Sequence, residues 1–207
     1  MNSREYYDIF EKCIQDYHLV DNVDAPLKNP YPENSWEGLL YRKNWIDTVQ
    51  WHLEDIIRRP DLSPEDLVAV KRRIDRSNQD RTDLVERLDD LFLKEYSGVD
   101  VQKDARLNTE TPAWALDRLS ILALKIYHMS EETRRADADE THRKTCENKL
   151  AVLLEQRADL IQALDELLED FRAGRRRIKT YRQMKMYNDE SLNPELYGGK
   201  KKSSPAD

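Results

Sequence analysis

Residues 146–171 read CENKLAVLLEQRADLIQALDELLEDF. Within them Cys146, Leu150, Leu153, Arg157, Leu160, Leu164, Leu167 and Phe171 follow one another in steps of four and three. Residues so spaced share one stripe of an α-helix, because the helix turns about 100° per residue. A parallel row, Leu154, Ile161 and Leu168, widens that stripe. The result fits a helix bundle better than an isolated two-stranded coil. Arg157 is the seam's one polar member, and Gly174 supplies a break just beyond it.

The same periodicity extends upstream. Trp114, Leu116, Leu119, Ile121, Leu122, Leu124, Ile126 and Tyr127 make a helix from Thr111-Pro112 to about Met129 that is apolar nearly all round. A cap residue followed by proline marks its start, because proline gives up only an N–H that the first turn cannot use. Ser63-Pro64-Glu65-Asp66 opens another helix in the same way, running to about Tyr96, with Ser97-Gly98 as its stop. A further helix spans about Ser35 to Arg59, with Asn34 and Glu37 as its expected capping box and apolar groups on two sides. The first helix covers residues 3–18, and three prolines keep residues 21–34 out of helix. The expected architecture is therefore all-α: a bundle of about five main helices, a long C-terminal helix, and a disordered tail. Residues 1–187 form one helical domain and 188–207 a flexible tail.

Composition narrows the function. The 207 residues carry a net charge of −7, which disfavours nucleic acid as the partner of the whole surface. Residues 172–185 (RAGRRRIKTYRQMK) hold seven basic groups and no acid, which reads first as a counterweight to an acidic body. No apolar run approaches a membrane span, no signal peptide opens the chain, and two distant cysteines form no disulfide framework. The expected compartment is the cytoplasm.

Charge falls where the stripes call for carbon. Arg42 lies between Leu39 and Ile46, Asn78 and Arg81 interrupt the third helix, and Asp117, Arg118, Lys125 and His128 share the fourth with Trp114 and Ile121. Buried charge is costly unless paired, so inward cations point either to a structural network or to an anionic ligand. Guanidinium groups grip phosphate and carboxylate bidentately. On the ligand reading, Arg42, Arg81, Arg118 and Lys125 hold a phosphorylated small molecule, Asn78 orients it, and His52, Asp55, Asp117 or His128 move protons or bind a metal. His18 and His142 read as surface residues. No metal-ligand set is assigned and the cofactor is unknown. Glu86-x-x-Asp89 matches half of the Mg²⁺-binding pattern of all-α nucleotide pyrophosphohydrolases, but Arg58 stands where its other half needs an acid. No reaction is named by these residues. The other reading is an interaction protein that docks a partner, or a second copy, through its long C-terminal helix.

LLYRKNWIDTVQWHLEDIIR (39–58), KRRIDRSNQDRTDLVERLD (71–89), NTETPAWALDRLSILALKIYHM (108–129) and KLAVLLEQRADLIQALDELL (149–168) resemble a bacterial domain family of unknown function, DUF 4254. The resemblance implies a link to cell-envelope polysaccharide synthesis, through neighbouring glycosyltransferase genes. It brings no established catalytic residues.

Overall fold

In the computed structural model, which describes residues 1–186 and 189–198, each long helix begins where a side chain can cap it. Asn2 caps α1 (Ser3–His18), and Glu5 reaches back to complete a capping box. Ser35 caps α2 (Trp36–Ile56) by accepting from the Gly38 N–H at 3.0 Å. The expected Asn34–Glu37 box is therefore corrected: Ser35 takes the cap, and the Asn34 amide oxygen accepts from Arg87 instead, at 2.5 Å. Ser63 and Thr111, each followed by proline, cap α3 (Pro64–Glu95) and α4 (Pro112–Thr133) as their sequences predict. Asp139 caps α5 (Glu140–Arg172), whose 33 residues make a rod about 50 Å long.

The five-helix, all-α architecture read from the sequence is the one observed, with small additions. Two-residue strands β1 (Arg106–Leu107) and β2 (Arg176–Arg177) pair in parallel, and α6 (Pro194–Gly198) is a single short turn of helix. Of the expected tail, residues 189–198 are described and include α6, while 188 and 199–207 lie outside the described residues. Gly174, at φ +67°, turns the chain after α5 in the left-handed region that glycine tolerates.

α4 is the central helix and packs against all four other long helices. That explains why it is apolar nearly all round: Leu116, Leu119, Leu124 and Ala113 are each at most 1% exposed. α1 brings Tyr6, Tyr7, Phe10, Cys13 and Tyr17 into the same core. The α5 seam lies along α4 and touches α1. Its polar member, Arg157, sets its guanidinium 5.3 Å from the centre of the Tyr7 ring, a cation–π contact that suits a half-buried charge.

The basic segment after α5 folds back onto α3. Arg182 pairs with Glu86 and Asp90, Lys185 donates to the Asn78 carbonyl at 2.9 Å, and Arg176 pairs with Asp170. Its charge thus balances acids of the body, and Glu86 is taken up in that contact. Among the described residues, no helix is long and apolar enough to cross a membrane.

Candidate functional site

Where α2, α3 and α4 meet, four charges lie together: Lys43, Asp47 and Asp117 are buried and Arg81 is partly open to solvent. Lys43 and Asp47 stand four apart on α2, so their side chains share a face. Lys43 is 1% exposed and its ammonium contacts the Asp47 carboxylate. It also lies 2.9 Å from Asp117 Oδ1 and donates to the Asp117 carbonyl at 3.2 Å. From α3, Arg81 forks onto Asp117: Nε donates to Oδ1 at 2.7 Å and Nη2 to Oδ2. Arg81 Nε is 3.5 Å from Asp47 Oδ1. Ser120 donates to Asp47 Oδ2 at 2.6 Å and accepts from the Asn44 amide at 2.9 Å.

Two cations therefore face two carboxylates, and the group is neutral as a whole. That balance is what permits its burial. Burial raises the Asp117 carboxyl, but Lys43 and Arg81 outweigh it and hold Asp117 below the usual carboxylate range. Asp47 is more deeply enclosed; burial pushes it up, and Lys43 and the Ser120 hydroxyl pull it only part of the way back. Two acceptors of this region, Asp47 Oδ1 and Asn44 Oδ1, are buried with no hydrogen-bond donor, and so is Gln50 Oε1 beside them.

Arg81 and Ile121 form the common wall of two clefts. The first, about 420 Å³, is lined by Asp47, Gln50, Trp51, Glu54, Asp55 and Arg58. The second, about 510 Å³, runs between α4 and α5 and presents Arg118, Lys125, Gln156 and Asp159 beside Asp117. Lys125 has no ion-pair partner among the described residues and is exposed.

The residues singled out in the sequence are distributed as follows. Arg81 and Asp117 are at the centre. Asp55 lines the first cleft and Arg118 and Lys125 the second, while Asn78 accepts from Gln50 at 2.9 Å on the α3 side. Arg118 does not point inward: its side chain is 56% exposed and pairs with Glu110. Arg42 does not either; α2 turns it toward Glu33 at 3.6 Å, and the inward cation is its neighbour Lys43. His52 and His128 meet each other some way from the ion network, with His18 as a third member.

Lys43, Asn44, Asp47, Ser120 and His18 escape the sequence reading. A Lys and an Asp four apart look like an ordinary solvated pair. The available signal was the company they keep: Asn44, Asp47 and Thr48 succeed one another on a helix already apolar on both flanks, and Ser120 sits within the most apolar helix of the chain.

Residues 37–180 match the model of a family described as "Protein of unknown function (DUF4254)", and the chain belongs to that family. No curated protein and no solved structure matches the chain.

Proposed function

We propose that this member of the DUF4254 family binds a phosphorylated, hydroxyl-rich small molecule, of the sugar phosphate or nucleotide kind, across the two clefts joined at Arg81. The observation that carries the reading is a pair of buried acceptors without donors, Asp47 Oδ1 and Gln50 Oε1, in two residues that line the first cleft. Buried acceptors are costly when unmet, and ligand hydroxyls would meet them. Trp51 and Ile121 offer the apolar wall that a sugar or base face needs. The second cleft takes the anion. Its cations are Arg81, forked onto Asp117, Arg118, paired with Glu110, and Lys125, which has no ion-pair partner among the described residues; of its two acids Asp117 is committed to Lys43 and Arg81. Asp55, exposed on the rim of the first cleft, is the group best placed to exchange a proton with a ligand there. A role in cell-envelope polysaccharide synthesis accords with such a ligand.

The test is a thermal-shift and calorimetric screen with glucose 1-phosphate, UDP-glucose, glucose and inorganic phosphate. A probe at 100 times its Kd adds about 2.7 kcal/mol, roughly 5–10 °C for a chain of this size. A phosphorylated sugar should shift wild type, and Lys125→Ala, at an exposed position with no ion pair among the described residues, should weaken that probe and leave melting nearly unchanged. No shift with any of these compounds would overturn the reading and favour docking of a partner through α5, where Val152 and Leu154 are the exposed large apolar groups.

A further inference from the structure

Three of the four histidines in the chain come together from three different helices. His18 ends α1, His52 lies in the last turns of α2, and His128 lies near the end of α4. One ring nitrogen from each falls within 4.8 Å of the other two. His18 Nε2 and His52 Nε2 are 3.2 Å apart.

Two of the three rings have their tautomer fixed from behind. His18 Nδ1 is 2.7 Å from the Ile14 carbonyl, which can only accept, so Nδ1 carries the proton and Nε2 the lone pair. His128 Nδ1 is 3.0 Å from Glu131 Oε2, with the same consequence. Its Nε2 is buried without a hydrogen-bond partner. A neutral His52 can donate through Nε2 to His18 alone, which leaves the His128 lone pair unmet. One cation among the three nitrogens satisfies all of them at once.

The surroundings suit that arrangement. A carbonyl or carboxylate behind a histidine is the usual outer partner of a metal ligand, because it sets the ring's orientation and raises its basicity. Each ring is also braced by an aromatic neighbour: Tyr127 stacks on His18 with centroids 4.3 Å apart, Tyr17 on His52 at 5.2 Å, and Trp51 on His128 at 5.1 Å. Burial, and then the neighbouring histidines, lower the pKa of His52, while burial outweighs Glu131 to lower that of His128.

We propose that His18, His52 and His128 form a three-histidine site for a divalent transition metal of the zinc and cobalt class, with Asp21 nearest to a fourth position. Asp21 adopts φ +48° just after α1, and its Oδ1 stands 3.9 Å from His52 Nε2. Nitrogens about 2.05 Å from a tetrahedral ion lie about 3.3 Å apart, so His18 and His52, 3.2 Å apart, already have the spacing, and the His128 nitrogen, within 4.8 Å of both, has to close in by at most about 1.5 Å. A second group, Glu132, His142 and Cys146, is less ready. There the His142 Nε2 that would ligate is already engaged, 2.8 Å from Glu132 and 3.4 Å from the Cys146 sulfur. The proposal stands independently of the cleft reading and survives its failure.

The experiment is titration of chelator-treated full-length protein with Co²⁺, followed by Zn²⁺ competition. The expected result is one ion per chain, with the visible bands of low-symmetry Co²⁺ and no thiolate charge-transfer band. His52→Ala and His128→Ala should each lower affinity by roughly 100-fold or more, Glu131→Gln by about 10–100-fold, and Cys146→Ser not at all. Absence of a Co²⁺ spectrum in wild type would overturn the proposal. So would binding that survives in both histidine variants, or a thiolate band that vanishes in Cys146→Ser. If circular dichroism finds the histidine variants unfolded, the half-exposed Glu131→Gln decides: weakened binding supports the site and unchanged binding overturns it.

Discussion

Lys43→Met removes one cation from the buried group and leaves Arg81 to face both Asp47 and Asp117. Methionine matches the length of the lysine stem, so the loss is chiefly one of charge. An uncompensated carboxylate in a site where Lys43 is 1% exposed should cost about 3–5 kcal/mol. Asp47→Leu makes the opposite error, leaving Lys43 and Arg81 with Asp117 alone, and should cost a similar amount. The double variant restores balance, because Arg81 and Asp117 remain as a bidentate pair. It loses the Ser120 hydrogen bond and should cost only about 1–3 kcal/mol. The assay is urea unfolding at pH 7 followed by tryptophan fluorescence. With a slope of about 2–3 kcal/mol per molar, each single variant should unfold about 1–2 M earlier, and the double variant later than either. A double variant whose loss equals the sum of the two single losses would refute the reasoning, for it would mean that the two charges do not act as a unit.

Asp89, 2% exposed, has its carboxyl raised to about 6, chiefly by burial; the Thr111 hydroxyl and Arg182 pull it down, Asp90 and Glu86 push it up. A group raised on folding contributes stability that is full below its unfolded value of about 3.9 and is lost as pH rises through about 6. Asp89→Asn should therefore gain on wild type by about 2 kcal/mol, screening included, between pH 4 and pH 7.5, read as the difference of the two melting curves. Gly174→Ala should destabilise by roughly 1–3 kcal/mol in chemical denaturation, since φ is +67° and the new Cβ would stand 2.3 Å from the Asp100 carbonyl oxygen. Arg182→Ala, which breaks exposed contacts to Glu86 and Asp90, should change stability by less than about 1 kcal/mol, and less still in high salt.

The helices were legible because their signals are local. Ser63-Pro64 and Thr111-Pro112 fix two starts through the chemistry of one turn, and the apolar stripes fix which faces turn inward. The site was less legible because α2 is packed on two sides. On such a helix a single stripe no longer decides which polar residue is enclosed, and the choice between Arg42 and Lys43 depends on where α3 and α4 lie. His18 is a sharper case. Nothing local marks the last residue of an amphipathic helix as part of a cluster. Its surroundings are made by His52 and Tyr127, which are 34 and 109 residues away along the chain.

The two polar groups of this bundle solve the problem of burial differently, and the difference bears on function. Lys43, Asp47, Arg81 and Asp117 are matched in charge and largely satisfied by one another, so the group can hold α2, α3 and α4 in register with nothing bound. What it leaves over is Asp47 Oδ1, buried without a hydrogen-bond donor in a residue that lines the first cleft. The histidine group is not matched: it gathers lone pairs, with their protons turned outward to Ile14 and Glu131, and has no cation of its own. Trp51 connects the two, since it stacks on His128 and lines the first cleft. A ligand seated against Trp51 and an ion held by His128 would thus both bear on one indole. If both proposals hold, the affinities are thermodynamically linked, and linkage is reciprocal. Zn²⁺ should then change the Kd of a phosphorylated sugar by the same factor by which that sugar changes the Kd of Zn²⁺, measured in two calorimetric titrations. Trp51→Phe, with a smaller ring between the sites, should bring that factor closer to one, and a factor that stays the same in the variant would exclude Trp51 as the connection.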